Sequence, residues 1–310
     1  RWVIINSGKL SKMATGEIVY AFKPLWDSYF PALIYSRFGI SKRLILDAED
    51  NELWDAFIGN GWRQLLTSKY YPINPVYNKL LHPATWVTRR KTVSCSKLQK
   101  RYGGKIVLHG PDFKVFDPEK LPDKISLRKK YNLPVDKKLL VFAGRPVFYN
   151  GLDFVMNSLA EHESEWELIL AGNQMDPIFK KAKEKLSGRC HLLGFIPNNA
   201  MPEILKLADV APIVQKPIPT TEMQMPAKLL EAMCMEKGII VTRVGDLPEI
   251  VTEERGWVIQ PGDDKGFRAA LQEISDNPLI LDKKGKAARE FFIQNASVQE
   301  IARRIKPYFE

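Results

Sequence analysis

The chain has 310 residues, of which 45% are hydrophobic and 26% are charged, and its 46 Lys and Arg outnumber its 36 Asp and Glu. This length exceeds that of a typical single hydrophobic core and predicts two domains. The four His and the three widely separated Cys exclude a His-rich metal site and a disulfide framework. No apolar run in the sequence is long enough to span a bilayer.

The positive charge is concentrated toward the amino terminus. Residues 1–115 contain 18 Lys and Arg against 8 Asp and Glu, whereas residues 116–310 contain 28 of each. This asymmetry indicates two units, one of which meets an anionic partner. Unpaired Cys are typical of a reducing compartment, so we expect a cytoplasmic protein. The chain begins at Arg1 instead of Met, and we expect its natural start to be missing.

Residues 1–116 are predicted to form an α/β domain. Its strand-like segments are "GEIVYAFKP", "KRLILDAED", "TVSCS" and "KIVLHG", and its helical segments are "PALIYSRFG" and "KLQKRYGG". The stretch "DPEKLPDK", which is rich in Pro and charge, follows this domain. Residues 117–137 are therefore predicted to be a linker.

Residues 138–290 alternate regularly between apolar strands and helical patterns. The strands are "LLVFAG", "WELILAG", "CHLLGFI", "VAPIV", "GIIVT" and "GWVIQP". This alternation predicts a parallel sheet wound on both faces, in which ligands bind beyond the carboxyl ends of the strands. The tail, residues 291–310, is predicted to be an amphipathic helix that packs back toward the first domain.

The segment "PAKLLEAMCMEKGIIVT" combines a helix with a buried strand. Pro226 suits the first helical position, and Gly238 is expected to cap the helix end. Lys228 and Glu231 are one helical step apart and can face the same site. The alternative is a solvated surface ion pair, which is the usual role of such residues. Apolar residues recur at helical spacing, namely Leu229, Leu230, Met233 and Cys234.

Five segments, in the family's order, resemble the GT-B-fold glycosyltransferases, in particular the large retaining group numbered family four. They are "FAGRPVFYNGLDFVMNSL", "ELILAGN", "HLLGFIPNNAMPEILKLADVAPIV", the Pro226 segment and "GWVIQPGD". The first domain matches more loosely, through "YAFKPL", "LILDAED", "VSCSKLQKRYGGK" and "LHGPD". The resemblance implies two Rossmann-like domains, each with a parallel sheet, and a cleft between them. It also implies a transferase that requires no cofactor and no metal.

The resemblance implies that a diphosphate is the leaving group, so preorganised cations would lower the barrier. Arg145, after Gly144 at a strand end, is expected to bind the phosphates; a solvated loop Arg is the alternative. Glu231 is expected to accept hydrogen bonds from the ribose hydroxyls. The residues expected to bind the donor are Gly144, Arg145, Asn150, Glu222, Met225, Pro226, Lys228, Leu229 and Glu231.

The chain departs from the family pattern at two positions. The family has a Lys where this chain has Asn150, and a sugar-binding Glu where this chain has Met223, with Glu222 one residue out of register. We interpret Lys228 as the cation that replaces the one missing at Asn150, which makes Lys228 and Arg145 candidate catalytic residues. Backbone N–H groups near Met223 remain candidates for binding the sugar.

An acidic cluster follows the second predicted strand. Asp47 and Asp50, together with Glu49, are candidates for orienting an acceptor hydroxyl or holding the transferred sugar. A Mg²⁺ site and an ordinary solvated acidic turn are the alternatives. Lys23 is a candidate for contacting an anionic acceptor, and a structural role is expected for His109.

Two segments are basic: Gly61–Tyr71 mixes Trp and Tyr with Arg63 and Lys69, and Thr88–Arg101 concentrates positive charge. Such a surface favours anionic lipid headgroups, so we expect peripheral binding to the cytoplasmic face of a membrane. A plain solvated basic face ranks second. Nucleic acid ranks last, because no nucleic-acid-binding motif is present.

Three functions are consistent with these patterns. The first is retaining transfer of a sugar from a nucleotide-sugar to a hydroxyl of a glycan or lipid-linked acceptor. The second is a catalytically impaired nucleotide-sugar-binding protein, because of Met223 and Asn150. The third is a polyanion-binding protein of the same fold, whose affinity would depend on salt and not on nucleotide.

Overall fold

The computed structural model describes residues 17–36, 43–50, 81–161 and 165–310. These residues separate into two compact units. The first contains the described residues up to Leu108 together with Glu222–Met225 and Ile301–Glu310. The second contains the described residues of His109–Thr221 and Pro226–Glu300.

The first unit is built on a parallel sheet of four described strands in the order β1-β2-β3-β4. Tyr29 and Leu33 pack under this sheet and are at most 1% exposed. The strands are β1 (Ile18–Phe22), β2 (Arg43–Ala48), β3 (Arg90–Val93) and β4 (Lys105–Ile106), and the helices are α1 (Tyr29–Tyr35) and α2 (Ser96–Tyr102), with a 3₁₀ turn at Pro83–Val87.

The end of the chain contacts this first sheet. The Tyr308 hydroxyl donates to the Lys91 carbonyl at 2.9 Å. The Arg304 guanidinium donates to the Ile106 carbonyl at 3.1 Å. These two bonds attach residues 301–310 to β3 and β4.

The second unit contains a parallel sheet of six described strands in the order β10-β9-β8-β5-β6-β7. The central strands are buried on both faces, which explains their continuous apolar runs in the sequence. The strands are β5 (Lys138–Ala143), β6 (Trp166–Ala171), β7 (Cys190–Gly194), β8 (Val210–Ile213), β9 (Gly238–Thr242) and β10 (Trp257–Ile259).

Helices before and after these strands cover the sheet and bury its apolar side chains. They are α3 (Lys124–Lys130), α4 (Leu152–Ala160), α5 (Pro177–Lys185), α6 (Met201–Leu207), α7 (Ala227–Cys234), α8 (Leu247–Ile250), α9 (Asp264–Asp276) and α10 (Leu279–Ala296). A last helix, α11 (Val298–Ile305), follows α10. Two parallel sheets with flanking helices confirm the predicted fold class.

The predictions for the two ends of helix α7 and for the tail as a single helix were wrong. Helix α7 begins after Pro226, which is its N-cap, and Gly238 does not cap it but opens β9. The left-handed residue behind α7 is Glu236, with φ of 57°. The tail is not one helix, because Ser297 is extended between α10 and α11. The predicted linker contains α3, which Arg128 holds through the Leu207 carbonyl at 2.9 Å.

The loop after β5 lies very close to the end of β8. Gly151 has φ of 76°, and a Cβ there would lie 2.0 Å from the Val214 carbonyl oxygen. Only glycine is therefore compatible with this approach, which joins the two loops at the carboxyl edge of the sheet. Within the described ranges, no helix combines the length and apolar character needed to cross a bilayer.

Candidate functional site

A cavity of about 590 Å³ opens at the carboxyl edge of the second sheet. Ligands of doubly wound sheets bind at this edge. Helix α7 contributes one carboxylate to the cavity, and three chain segments form its walls. The lining residues are Pro111, Asp112, Val115, Phe116, Ala143, Gly144, Asn198, Asn199, Met201 and Glu231.

Helix α7 positions Lys228 and Glu231 because its other side is apolar. Leu229, Leu230 and Met233 are each 0% exposed and fix the rotation of the helix against the sheet. The opposite side therefore presents Lys228 and Glu231 toward the carboxyl ends of β5 and β8, where both line a second, small pocket.

Neither side chain is solvated as a surface ion pair would be. The Lys228 ammonium lies 4.5 Å from the centroid of the Phe142 ring. Burial lowers the pKa of Lys228 to about 8, and the Glu231 carboxylate opposes this shift. Burial also raises the pKa of Glu231, against the attraction of Lys228. A buried cation with a lowered pKa gains stability from an anionic ligand.

Arg145 lies on the exposed loop after β5. Gly144, with φ of 98°, turns the chain into this loop. The Val147 N–H and the Asn150 side chain both donate to the Arg145 carbonyl, at 3.0 and 3.1 Å. Asn150 therefore braces the loop, and the Arg145 guanidinium is exposed at the carboxyl edge of the sheet.

The segment before α7 clusters with the first unit. The Glu222 carboxylate pairs with the Lys97 ammonium. Met223 packs against an apolar cluster that includes Val93 and Leu98. Met225, in the same segment, is partly buried. The methionine side chain offers only a weakly accepting sulfur and cannot replace a carboxylate that binds sugar hydroxyls.

The start of α7 limits which backbone groups are available. Pro226 has no N–H, and the Leu229 N–H donates to the Pro226 carbonyl at 3.0 Å. The Leu229 side chain is 0% exposed. The N–H groups of Ala227 and Lys228 belong to the first turn, where a helix has no internal acceptors.

The structure buries Asp47, whereas Asp50 remains partly exposed. Asp47 is 2% exposed and accepts a hydrogen bond from the Thr92 hydroxyl at 2.7 Å. The Tyr20 hydroxyl lies 3.3 Å from the same Thr92 oxygen. Burial raises the pKa of Tyr20. Asp50 pairs with the Lys23 ammonium at 2.7 Å.

Lys23 has an unusual backbone. Its φ is 65°, and its N–H donates to the Asp47 carbonyl at 2.7 Å. A non-glycine residue in this conformation is uncommon and costs free energy. The structure thus fixes Lys23 and both aspartates around the carboxyl ends of β1 and β2.

The basic segment Thr88–Arg101 is exposed at Arg89, Lys97 and Lys100. Trp86, just before it, is 72% exposed and enlarges the apolar part of this surface. Trp86 lies outside both basic segments, so the runs of charge in the sequence did not point to it. The other basic segment, Gly61–Tyr71, lies outside the described residues.

Part of the chain matches a family model and known proteins. Residues 137–277 match the family model described as "Glycosyl transferases group 1". An uncharacterized glycosyltransferase of Methanocaldococcus jannaschii, MJ1607, is 26% identical over 181 residues, covering 56% of this chain and 43% of that protein. D-inositol 3-phosphate glycosyltransferase of Xylanimonas cellulosilytica is 26% identical over 166 residues, covering 51% of this chain and 39% of that protein.

Two solved structures share the fold. Sucrose-phosphate synthase from Thermosynechococcus elongatus superposes with a TM-score of 0.76 at 15% identity, covering 97% of this chain and 75% of that one. Anabaena Alr3699/HepE, in complex with UDP and glucose, gives 0.75 at 16% identity, covering 98% and 80%.

The matched segment contains Arg145, Lys228 and Glu231. Residues 137–277 match the model of the glycosyl transferases group 1 family, which covers less than half of this chain. The likeness to the solved structures shows the GT-B fold, so the predicted fold class is confirmed, and so is the predicted resemblance to group 1 glycosyltransferases. The chain spans less than half of the length of the two curated relatives named above.

Proposed function

We propose that the protein transfers a sugar, with retention of configuration, from a nucleotide-diphosphate sugar to a hydroxyl of a glycan or lipid-linked acceptor. The observation that carries this proposal is the placement of Lys228 and Glu231. Both lie on one side of α7 at the carboxyl edge of the sheet, and Glu231 also lines the 590 Å³ cavity.

The cavity suits a nucleoside. The Glu231 carboxylate can accept two hydrogen bonds from the vicinal hydroxyls of a ribose. These hydroxyls would replace the water that burial removes from the carboxylate. The amides of Asn198 and Asn199, farther along the cavity wall, can donate to and accept from the edge of a base.

The cations nearby suit a diphosphate. Lys228 supplies a charge next to Glu231, and Arg145 supplies a two-pronged guanidinium on the adjoining loop. The amino terminus of α7 adds its dipole and the N–H groups of its first turn. Charge that develops on the leaving diphosphate would be stabilised by these groups, which act without any added metal or cofactor.

The first donor to test is a UDP-sugar. Anabaena Alr3699/HepE, which has the same fold, was solved with UDP and with UDP-glucose. Those ligands are bound by that protein and support UDP as the nucleotide for this chain.

The first unit would receive the acceptor. Asp47, held by Thr92, would orient the attacking hydroxyl, and the Lys23–Asp50 pair would contact polar acceptor groups. The exposed surface of Trp86, Arg89 and Lys100 would lie on anionic lipid headgroups, where a lipid-linked acceptor resides. Nucleic acid is not proposed as a partner.

A second candidate is a nucleotide-sugar-binding protein with impaired turnover. The packing of Met223 among apolar side chains favours this candidate, because a sugar-binding carboxylate is missing at that position. Asn150, which braces the loop backbone and brings no charge, favours it as well.

A thermal-shift panel of UDP, GDP, ADP and their sugars tests both candidates, since a ligand that binds the folded state raises its stability. Hydrolysis of the stabilising donor is then measured. Stabilisation with release of sugar supports the transferase, and stabilisation without release supports the binder. A protein stabilised by no nucleotide, with polyanion affinity set by salt alone, would contradict both.

A further inference from the structure

Arg289, on helix α10, lies behind the cavity and does not line it. Its side chain is 14% exposed and contacts two separate parts of the chain. The guanidinium donates to the Phe116 carbonyl at 3.0 Å and also to the Cys234 carbonyl. Phe116 belongs to one wall of the cavity, and Cys234 is the last residue of α7.

Further contacts reinforce this bridge. The Asp117 carboxylate lies 3.5 Å from the Arg289 guanidinium, and the Glu236 carboxylate lies 3.7 Å from it. The Cys234 thiol also donates to the Phe116 carbonyl, at 3.2 Å. The bridge therefore contacts Phe116 and Asp117 on one side and Cys234 and Glu236 on the other.

Helix α10 packs tightly against the segment 110–117 and against the end of α7. A Cβ on Gly110 would lie 2.3 Å from the Phe292 ring and 2.5 Å from the Ala296 carbonyl oxygen. A Cβ on Gly285 would lie 2.4 Å from the Glu236 carbonyl oxygen. Neither the segment 110–117 nor the end of α7 can move toward α10.

We infer that Arg289 is a positioning residue for nucleotide binding, an inference that rests on the proposed function. Residues 111–116 form the wall of the cavity beside Glu231, and Glu231 itself is one turn before Cys234 on α7. Because one guanidinium bonds to the backbone at both places, it sets the distance between the wall and the ribose-binding carboxylate. A nucleoside between them requires this distance to be correct.

The variant Arg289→Lys distinguishes a positioning role of the guanidinium from an effect of its charge alone. Its ammonium keeps the positive charge but lacks the planar fork that reaches several acceptors at once. We expect Arg289→Lys to weaken UDP binding on the order of tenfold, because the wall and Glu231 are no longer held at one spacing. The donor KM should rise by a similar factor, while kcat at saturating donor changes less than about twofold, since Arg145 and Lys228 keep their places.

Arg128→Lys is the matched control in the same unit. Arg128 is 4% exposed and bonds to the Leu207 carbonyl at 2.9 Å, the Lys137 carbonyl at 2.7 Å and the Asp209 carboxylate at 2.7 Å. It donates to three backbone carbonyls, including that of Val135 at 3.3 Å, whereas Arg289 donates to two, and it does not contact the cavity wall. The control should lower the melting temperature at least as much and leave UDP affinity unchanged.

The test measures UDP dissociation constants by calorimetry and melting temperatures for the full chain and both variants. Loss of affinity only in Arg289→Lys supports the inference. Equal UDP affinity in the wild type and Arg289→Lys, or equal losses in both variants, would overturn it. A wild-type chain that binds no nucleoside diphosphate would instead overturn the proposed function, and the inference with it.

If Arg289→Lys does not fold, Asp117→Asn provides the same test more mildly. Asparagine keeps the oxygen that accepts the Glu119 N–H at the start of the 3₁₀ turn but loses the charge that faces Arg289. We expect UDP affinity to fall about threefold, the effect of weakening one of several contacts. Unchanged affinity in this variant would contradict the inference.

Discussion

The two units of the molecule use charge in opposite ways. Residues 1–115, which include the described residues of the first unit up to Leu108, have an excess of ten positive charges, and among the described residues Arg89 and Lys100 are exposed. Residues 116–310 have no net charge, but their side chains at the candidate site include a partly buried Lys228 and Glu231 with shifted pKa values. Net charge therefore indicates where a binding surface lies, whereas the burial of a few charged side chains indicates where a chemical site lies.

The units also differ in how clearly the family pattern extends over them. The family model covers residues 137–277, all outside the basic amino-terminal region. Under our proposal, every donor contains a ribose and a diphosphate, and the same few protein groups can bind them in each case. Acceptors differ in chemistry, so the first unit need not share one motif with its relatives.

The largest expected effect is in the second unit, at Lys228. Lys228→Ala should slow turnover on the order of 100-fold, because one phosphate then has too few positive partners. Adding Asn150→Lys should restore part of the rate, while Asn150→Lys alone should change little. The cycle should give a coupling free energy of roughly 0.5–3 kcal/mol.

Lys216→Ala is the control for this cycle. Its ammonium is paired with Asp153 at 2.7 Å, and its side chain is 41% exposed. It should couple to Asn150→Lys by less than Lys228 does. Strict additivity of Lys228→Ala and Asn150→Lys would show that Lys228 does not replace the missing cation.

Arg145→Ala should cost about 2 kcal/mol or more of transition-state stabilisation, as for a removed charge-stabilising donor. Donor binding should weaken less than turnover, because charge on the phosphate grows as the bond breaks. Steady-state kinetics measure both. Arg189→Ala, at the opposite edge of the sheet where its guanidinium bonds to Leu159, is the control. Near-normal turnover in Arg145→Ala would show that Arg145 does not stabilise the transition state.

A smaller effect is expected in the first unit, at Asp47. Asp47→Asn should lower turnover about tenfold, the effect of one hydrogen bond to a charged group, and leave UDP affinity unchanged. Thr92 can still donate to the amide oxygen, so the fold should persist. The exposed Asp27→Asn in the same unit serves as control. A drop in UDP affinity equal to the drop in turnover would argue against an acceptor-side role.

The smallest effect is expected for adsorption to membranes. The protein should sediment with vesicles that contain anionic lipid, and rising salt should release it, because screening acts within about 10 Å at moderate ionic strength. Arg89→Glu should weaken this binding, whereas Lys265→Glu in the second unit should not. Equal sedimentation with neutral and anionic vesicles at low salt would contradict the proposed surface.

The burial and backbone conformation of each segment explain how much of it the sequence could predict. Strands such as β6 and β9 are buried on both faces, so their apolar runs predicted them directly. The end of α7 was not predictable in this way, because the left-handed residue there is Glu236 and not a glycine. The tail was predicted as one helix because amphipathic spacing continues across Ser297, whose extended backbone separates α10 from α11.

Within the candidate site, residue type and spacing identified Lys228 and Glu231 but not what surrounds them. The ring of Phe142 under the Lys228 ammonium comes from another strand, and no local pattern predicts that contact. Arg289 was missed for the same reason, since its partners are 173 and 55 residues away in the chain. Long-range contacts of this kind become visible only in the folded structure.

Proton uptake on UDP binding tests whether the Lys228 ammonium contacts the diphosphate. In the free protein the pKa of Lys228 is about 8, so the side chain loses its proton as the pH rises through that value. A bound diphosphate favours the protonated form and raises this pKa. UDP affinity should therefore fall between about pH 8 and the higher pKa of the complex, and it should be constant just below this range.

Calorimetry at pH 8 in buffers with different ionisation enthalpies measures the uptake directly. We predict that the wild type takes up about half a proton per UDP, because Lys228 is half protonated when free and fully protonated when bound. Lys228→Met should bind UDP more weakly and take up none of this fraction, whereas Lys216→Met should behave as the wild type does. Equal proton uptake by the wild type and Lys228→Met would contradict the account.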